Sequence, residues 1–260
     1  MIQALWLTLA LSIAIQAVFF AFAATFRTDK VTDLSYGLTF IALVGALAIG
    51  TSSWEASHVA VVLMVTAWGG RLAIYLFYRI LTIGRDVRFD GIRERFWKFF
   101  QFWFFQGIAV WIIMLPVTIW FVLPHAGRGW TMWMTVGSVV WLAGLAIETI
   151  ADAQKFRHKT REGAHDRWMS SGLWRYSRHP NYFGELLCWW GLFVFVLPGL
   201  GWWAAVAAIG PLTITGLLLF VTGIPTLEAG AERKWGRDPA YAEYRRRTSR
   251  LIPWPRRPQH

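Results

Sequence analysis

Apolar residues fall into seven long runs along this chain, at about 3–26, 34–50, 56–80, 101–124, 130–155, 180–198 and 202–225, with polar connections between them. Runs of this length match the roughly 17–25 residues an α-helix needs to cross a bilayer. The pattern predicts an all-α, polytopic integral membrane protein with seven transmembrane helices in one domain over 1–260. The polar stretches carry patterns of their own. Segment 84–100 mixes Arg85, Arg88, Arg93, Arg95 and Lys98 with Ile92, Phe96 and Phe99, which predicts an amphipathic segment in the cytoplasmic interface, held by anionic lipid. Near the inner end of the fifth run, Glu148, Asp152, Lys155 and Lys159 recur at helical spacing, two acids followed by two bases on one face. The tail contributes Glu228, Glu232, Arg233, Tyr241, Tyr244 and Arg245 to Arg247, and reads as a helix under the membrane, ended by Pro253 and Pro255.

Composition supports the membrane assignment: 56% of the residues are hydrophobic and only 16% charged, where soluble domains carry about a quarter. Eighteen Trp suit interfacial belts and an aromatic-lined interior. A net charge of +11 is compatible with nucleic acid, but its distribution points elsewhere. Segment 27–33 holds two Lys or Arg, 79–98 six, 155–178 seven and the tail from 226 nine, so 24 of 26 lie in alternate connections. The opposite connections hold only Arg128, and Arg71 lies within a run. The positive-inside rule makes the basic side cytoplasmic, with the N-terminus outside and the C-terminus inside, as an odd number of spans requires. The bilayer is therefore the expected partner, with no nucleic acid and no obligate protein partner. Ala21, Ala23 and Ala24 resemble a signal-peptide cleavage site, but the first run lacks a basic leader and is too long for one, so it is read as a span. The single Cys188 excludes an internal disulfide and a Cys-based zinc site, and no metal is expected.

The densest chemistry is the string Arg178–His179–Pro180–Asn181–Tyr182–Phe183–Gly184–Glu185 at the mouth of the sixth run. Polar and ionisable groups in a bilayer are expensive and suggest function. Pro180 suits the first turn of a helix, where a missing N–H costs nothing. Arg178, Asn181, Glu185 and Trp189 then share one helical face, and a helix N-terminus beside Arg and His suits a phosphate group. In the first half the exceptions to plain hydrophobicity are Glu55, His58 and Arg71. Ser52-x-x-Glu55 fits a capping box at the start of the third run.

From Glu148 to Trp189 the chain resembles the C-terminal half of the steroid 5α-reductase family, including its bacterial members. The resemblance is carried by Asp152, Gly172–Leu173, Asn181, Gly184–Glu185 and Trp189. Tyr241, Tyr244 and Leu251–Ile252–Pro253 continue it, and Glu55 and Arg71 extend it more loosely into the first half. It implies a seven-span reductase, multi-pass in a bacterial inner membrane. Such an enzyme uses NADPH to reduce the carbon–carbon double bond of a Δ4-3-ketosteroid or similar apolar enone. Residues 1–100 form mainly the substrate side and 101–260 mainly the cofactor side. The family's carbonyl-binding acid maps onto Glu55 and its Tyr onto Trp68, a departure, since an indole donates a hydrogen bond but cannot act as an acid. The family's Gln before the acid is Trp54, a second departure. Catalysis is thus assigned to Glu55, His58 and Trp68, and substrate contact to Trp54 and Trp189. The cofactor falls to Arg71, Asp152, Lys155, Lys159, Arg178, His179, Asn181, Tyr182, Glu185, Tyr241 and Tyr244. Isoprenylcysteine and phospholipid methyltransferases, which bind S-adenosylmethionine, share the Arg-His-Pro pattern with a C-terminal acidic motif and two spaced tyrosines. Glu228, Glu232, Tyr241 and Tyr244 keep that alternative open. The absence of an adjacent Glu–Glu pair, and the presence of Asp152, Lys155 and Lys159, favour the reductase. A non-enzymatic lipid-binding protein is the third class.

For an enone, hydride reaches the β carbon only if the developing charge on the carbonyl oxygen is stabilised by an aimed donor. Glu55 serves only while protonated, which an apolar pocket favours. His58, one turn further on, is placed to supply a proton or set the state of Glu55. Hydropathy puts Glu55 near the outer end of its span, so the nicotinamide is expected near mid-membrane. Asn181 and Glu185 would hold that end, with Lys155, Lys159 and Arg178 on the phosphates. Arg71 either snorkels or binds the cofactor.

Overall fold

In a bilayer every backbone N–H and C=O must be paired within its own segment, which leaves the helix as the solution for apolar runs of this length. A computed structural model describes residues 1–52, 54–83, 91–124, 129–160 and 167–255. Among them seven helical segments are long and apolar enough to cross a membrane, one for each run. The fold is all-α, and the only β-type pairing among the described residues is an isolated parallel bridge between Ser177 and Ser249.

The helices are α1 (Ile2–Thr25), α2 (Thr32–Thr51), α3 (Ala56–Ile83), α4 (Phe96–Ile113), α5 (Leu115–Val122), α6 (Met132–Thr160), α7 (Pro180–Leu200), α8 (Ala204–Ala207), α9 (Ile209–Gly216), α10 (Ile224–Trp235) and α11 (Pro239–Arg247). Two runs are broken for identifiable reasons. The fourth divides into α4 and α5 at Met114, two residues before Pro116, which has no N–H to continue the ladder. In the last run, α9 passes into a π-helical turn, Leu217–Val221, and stops at Thr222–Gly223, ahead of Pro225 in the first turn of α10. That run therefore extends to Trp235, ten residues past its predicted end.

The chain divides into two compact units, Met1–Val136 with Leu192–Thr213, and Gly137–Gly191 with Ile214–His260, the boundaries falling inside helices. In the first unit α2 packs on α3, and α1 on α4 and α2. A buried polar ladder ties three of these helices. Gln16 Nε2 donates to Thr39 Oγ1 (2.8 Å), and Gln106 Nε2 donates to Gln16 Oε1 (3.0 Å) and Ser35 Oγ (3.2 Å). Ser12 Oγ donates to the Gly107 carbonyl at 2.8 Å. These groups find one another, as interhelical polar residues in membranes do, and they read as a structural clamp.

Three local expectations are corrected. Ser52 does not open α3: it closes α2 in the left-handed conformation (φ 50°), and the Glu55 carbonyl accepts the first bond of α3 from Val59 N, so the Ser52–Glu55 capping box is not formed. The lipid-anchored segment 84–100 forms turns over 91–95 at its described end, and α4 starts at Phe96, while Arg85 and Arg88 lie outside the described residues. Arg93 is bound to the buried Asp29 carboxylate (2.9 Å) and Ile92 packs on Ala23, Phe99 and Trp103, so this end is held by protein. The tail is two helices, and it leaves helix at Thr248, well before Pro253, because its backbone turns to pair with residue 178.

Candidate functional site

The second unit builds its polar cluster on a close helix crossing. Gly144 and Gly184 bring α6 and α7 backbone to backbone: a methyl on Gly184 would lie 2.6 Å from the Glu148 amide nitrogen and 2.7 Å from the Gly144 carbonyl oxygen. Two turns on, Gly191 meets Trp141 N and Gly137 O at 2.6 and 2.9 Å from the same position. This approach buries Glu148 and Asp152 on α6 and Glu185, Cys188 and Trp189 on α7. Cys188 Sγ lies 4.0 Å from Glu148 Oε2 and 3.7 Å from the Trp141 carbonyl.

The connection from α6 to α7 ends in a single 3-10 turn, Gly172–Arg175, pinned to α6. Leu173 N donates to Gln154 Oε1 at 2.9 Å, and the indole of buried Trp174 donates to the Ala151 carbonyl at 3.0 Å. Gly172 has φ +61°, and a methyl there would overlap the Gln154 amide at 2.5 Å, so both the conformation and the space call for glycine. Lys155 lies 4.8 Å over the Trp174 ring. The tail closes the other side. Arg178 N donates to the Ser249 carbonyl (2.8 Å), Ser177 Oγ to the Leu251 carbonyl (2.6 Å) and Tyr244 Oη to the Trp174 carbonyl (2.9 Å).

Glu228 on α10 is the electrostatic centre of this arrangement. Its Oε1 takes Arg178 Nη1 at 2.9 Å and His179 Nε2 at 3.3 Å, and Oε2 lies 3.9 Å from Arg250 Nε. Sequence reasoning noted Glu228 in the tail but gave it no place among the cofactor residues. His179 is buried and stacks parallel to Tyr182, ring centroids 5.8 Å apart. Three polar atoms here are shielded from solvent and have no protein partner among the described residues: Arg178 Nε, His179 Nδ1 and Asn181 Oδ1.

Burial pushes the His179 imidazole below its usual range, Lys155 and Arg178 add to that, and the Glu228 carboxylate opposes them. A histidine whose folded-state pKa is depressed leaves the unfolded chain holding the extra proton, so stability is intact above about pH 6.5 and erodes as pH falls below it. The detergent-solubilised protein is expected to melt at lower temperature at pH 5.5 than at pH 7.5, and His179→Gln to flatten that difference. An unchanged slope in the variant would show that His179 does not carry it.

The other proposed cofactor residues fall as follows. Lys155 is half-buried within this cluster, and Lys159 is exposed near the end of α6. Tyr241 and Tyr244 join Trp168 and Trp235 in a four-ring aromatic cluster, with Trp168 to Tyr241 at 5.0 Å and Trp235 to Tyr241 at 5.9 Å. With its hydroxyl on Trp174, Tyr244 ties the tail to the 172–175 turn. Trp168 carried no signal in the sequence because its ring partners lie more than sixty residues away.

In the first unit, Glu55 and Trp54 are exposed from the rest of the protein at the start of α3. His58 is buried, its ring 4.4 Å from Trp120 and 5.0 Å from Phe121, and its Nδ1 has no hydrogen-bond partner among the described residues. Trp120 is fully buried with its indole N–H likewise unpartnered among them. Trp68 is buried edge-on to Phe40 at 5.2 Å, between α2 and α3, and Arg71 is half-buried one turn further on.

A family model described as a protein of unknown function, DUF1295, matches residues 19–248. No curated protein and no solved structure matches the chain.

Proposed function

We propose that this chain, which belongs to the DUF1295 family, is a membrane-integral reductase that uses NADPH to saturate the carbon–carbon double bond of an apolar enone such as a Δ4-3-ketosteroid. The observation that carries the proposal is the group of shielded, unpartnered polar atoms at the first turn of α7, Arg178 Nε, His179 Nδ1 and Asn181 Oδ1. Buried polar groups in folded proteins are almost always satisfied, so a cluster of them left open at one helix start calls for a partner such as water, an ion or a ligand. The resemblance in the same stretch, Asp152 to Trp189, names a dinucleotide as that ligand.

The residues fit such a group. Lys155 and Arg178 supply positive charge, Asn181 and His179 supply hydrogen-bonding edges, and the buried Glu185 and Trp189 lie deeper along α7. Bound NADPH supplies a hydride at its nicotinamide ring. The chain's own work is to hold the enone, donate to its carbonyl oxygen as charge develops there, and deliver a proton to the α carbon. One hydride and one proton then add across the double bond, giving the saturated ketone and NADP⁺. For the carbonyl, His58 suits the donor role better than Glu55, since it is buried beside the unpartnered Trp120 indole while Glu55 is exposed. Donors of this kind are effective where water is excluded.

Thermal shift in detergent with NADPH, NADH and S-adenosylmethionine tests the assignment. A ligand at a hundred times its Kd stabilises by about 2.7 kcal/mol, a shift of several degrees. Stabilisation by NADPH and none by S-adenosylmethionine is expected, with NADH weaker because basic residues remain for a 2′-phosphate. Stabilisation by S-adenosylmethionine alone overturns the reductase and leaves the methyltransferase.

A further inference from the structure

The ring of His179 is only half accounted for by its neighbours. Nε2 faces Glu228 Oε1 at 3.3 Å, and that carboxylate also holds Arg178 Nη1 at 2.9 Å and has Arg250 at 3.9 Å. A carboxylate paired with two guanidinium groups is ionised and can only accept, so the ring proton belongs on Nε2 and Nδ1 is a bare lone pair. That lone pair is shielded from solvent on a side chain 7% exposed, and no donor among the described residues reaches it. The plane of the ring is held by the stack on Tyr182, and the backbone N of His179 is already donated to Ser177 Oγ at 3.1 Å. Two residues on, Asn181 Oδ1 is a second shielded acceptor without a partner among the described residues.

Both open acceptors need a donor, and this changes what the Arg-His pair at the helix start can recognise. Phosphate oxygens at neutral pH are acceptors, so a phosphate satisfies neither Nδ1 nor Oδ1. We propose that His179 Nδ1 accepts a hydrogen bond from an exocyclic –NH₂ group of the bound dinucleotide, and that Glu228 is the positioning residue that keeps this nitrogen an acceptor. The inference rests on the NADPH assignment above. A dinucleotide carries that chemistry in two places, the carboxamide of the nicotinamide and the amino group of the adenine. His179 therefore reads a base, and the charge is left to Arg178 and Lys155.

The test is equilibrium binding to the full-length protein in detergent of NADPH and two analogues. One carries an acetyl group in place of the carboxamide, and the other hypoxanthine in place of adenine. A buried acceptor left without its donor typically weakens binding by about tenfold or more. One analogue is expected to bind wild type at least that much more weakly than NADPH, and which one identifies the group read. His179→Phe should bind NADPH at that reduced affinity and no longer distinguish the pair. Nitrogen NMR of histidine-labelled protein should show His179 as the Nε2–H tautomer, and Glu228→Gln should mix the tautomers and shrink the discrimination. If wild type binds NADPH and both analogues equally, the inference fails while the NADPH assignment stands. If it binds none of the three, both fail. An Nδ1–H tautomer in wild type, or a Glu228→Gln variant unchanged in tautomer and discrimination, removes the positioning role. Should His179→Phe not fold, the wild-type comparison of the three ligands decides.

Discussion

Gly184→Leu is expected to yield no folded protein: no monodisperse peak on size exclusion in detergent and no cooperative melting transition. A single methyl at this position would already lie 2.6 Å from Glu148 N, 2.7 Å from Gly144 O and 2.8 Å from Glu148 Cβ. Two of those three atoms are backbone and cannot swing aside as a flexible side-chain tip would. Overpacking a fitted interior costs about 1–3 kcal/mol for modest insertions, and a leucine adds four carbons where the first has no room. A folded protein holds only about 5–15 kcal/mol in reserve. Gly144 faces the same problem from the other helix, with Gly184 O at 2.6 Å and Cys188 N at 2.7 Å. Gly184→Ala should fold but melt several degrees lower. Gly45→Leu serves as the control, since nothing lies within 4 Å of a methyl there. A Gly184→Leu protein that behaves like Gly45→Leu would mean that α6 and α7 do not meet at these glycines. The crossing also matters for chemistry, because it is what presses Glu148 and Glu185 into the interior of the second unit.

The spans were legible because bilayer length and hydrocarbon compatibility leave few alternatives for seven apolar runs. The breaks inside two of them were less so. Pro116 and Pro225 are visible in the sequence, yet whether a helix kinks and resumes or stops depends on what surrounds the break. Around residue 116 the space is set by Gly210, whose added methyl would lie 2.6 Å from Pro116 Cδ. The segment from Arg178 to Glu185 stands out in the sequence because charge at the mouth of an apolar run has no cheap structural use. Its organisation does not, since Glu228 lies 49 residues from His179 and nothing local marks the pairing. Ser52-x-x-Glu55 shows the opposite failure. The spacing satisfies the capping pattern, but Ser52 is taken up in ending α2, so a local rule lost to the turn that the two spans require. Glu55 and His58 were both singled out as polar exceptions in an apolar half, but the burial of His58 against Trp120 is something no spacing rule would reveal.

Asn181→Ala and Glu185→Gln are expected to lose enone reduction by about a hundredfold or more while still folding. Asn181 Oδ1 is shielded and has no partner among the described residues, so its removal breaks no hydrogen bond there and takes a contact from the ligand. Glu185 is 9% exposed on the same helical face, one turn further into the span. Glutamine preserves its shape and replaces the carboxyl group, which a packing role tolerates and a ligand-orienting role does not. Leaving a buried polar partner unsatisfied costs about 1–3 kcal/mol, or roughly 5- to 150-fold in affinity, and misplacement of a reacting group adds a further loss in rate. Both variants should therefore weaken NADPH in a binding isotherm as well as slow turnover of a Δ4-3-ketosteroid. His58→Phe provides the contrast. Its ring neighbours are Trp120 and Phe121, neither of them assigned to the cofactor, so turnover should fall by about 10²–10³ if it donates to the carbonyl, with NADPH affinity nearly unchanged. Near-wild-type turnover in both Asn181→Ala and Glu185→Gln would make this face of α7 structural and withdraw the site. A His58→Phe enzyme that turns over normally would leave the cofactor end intact and return the carbonyl to Glu55 or Trp68.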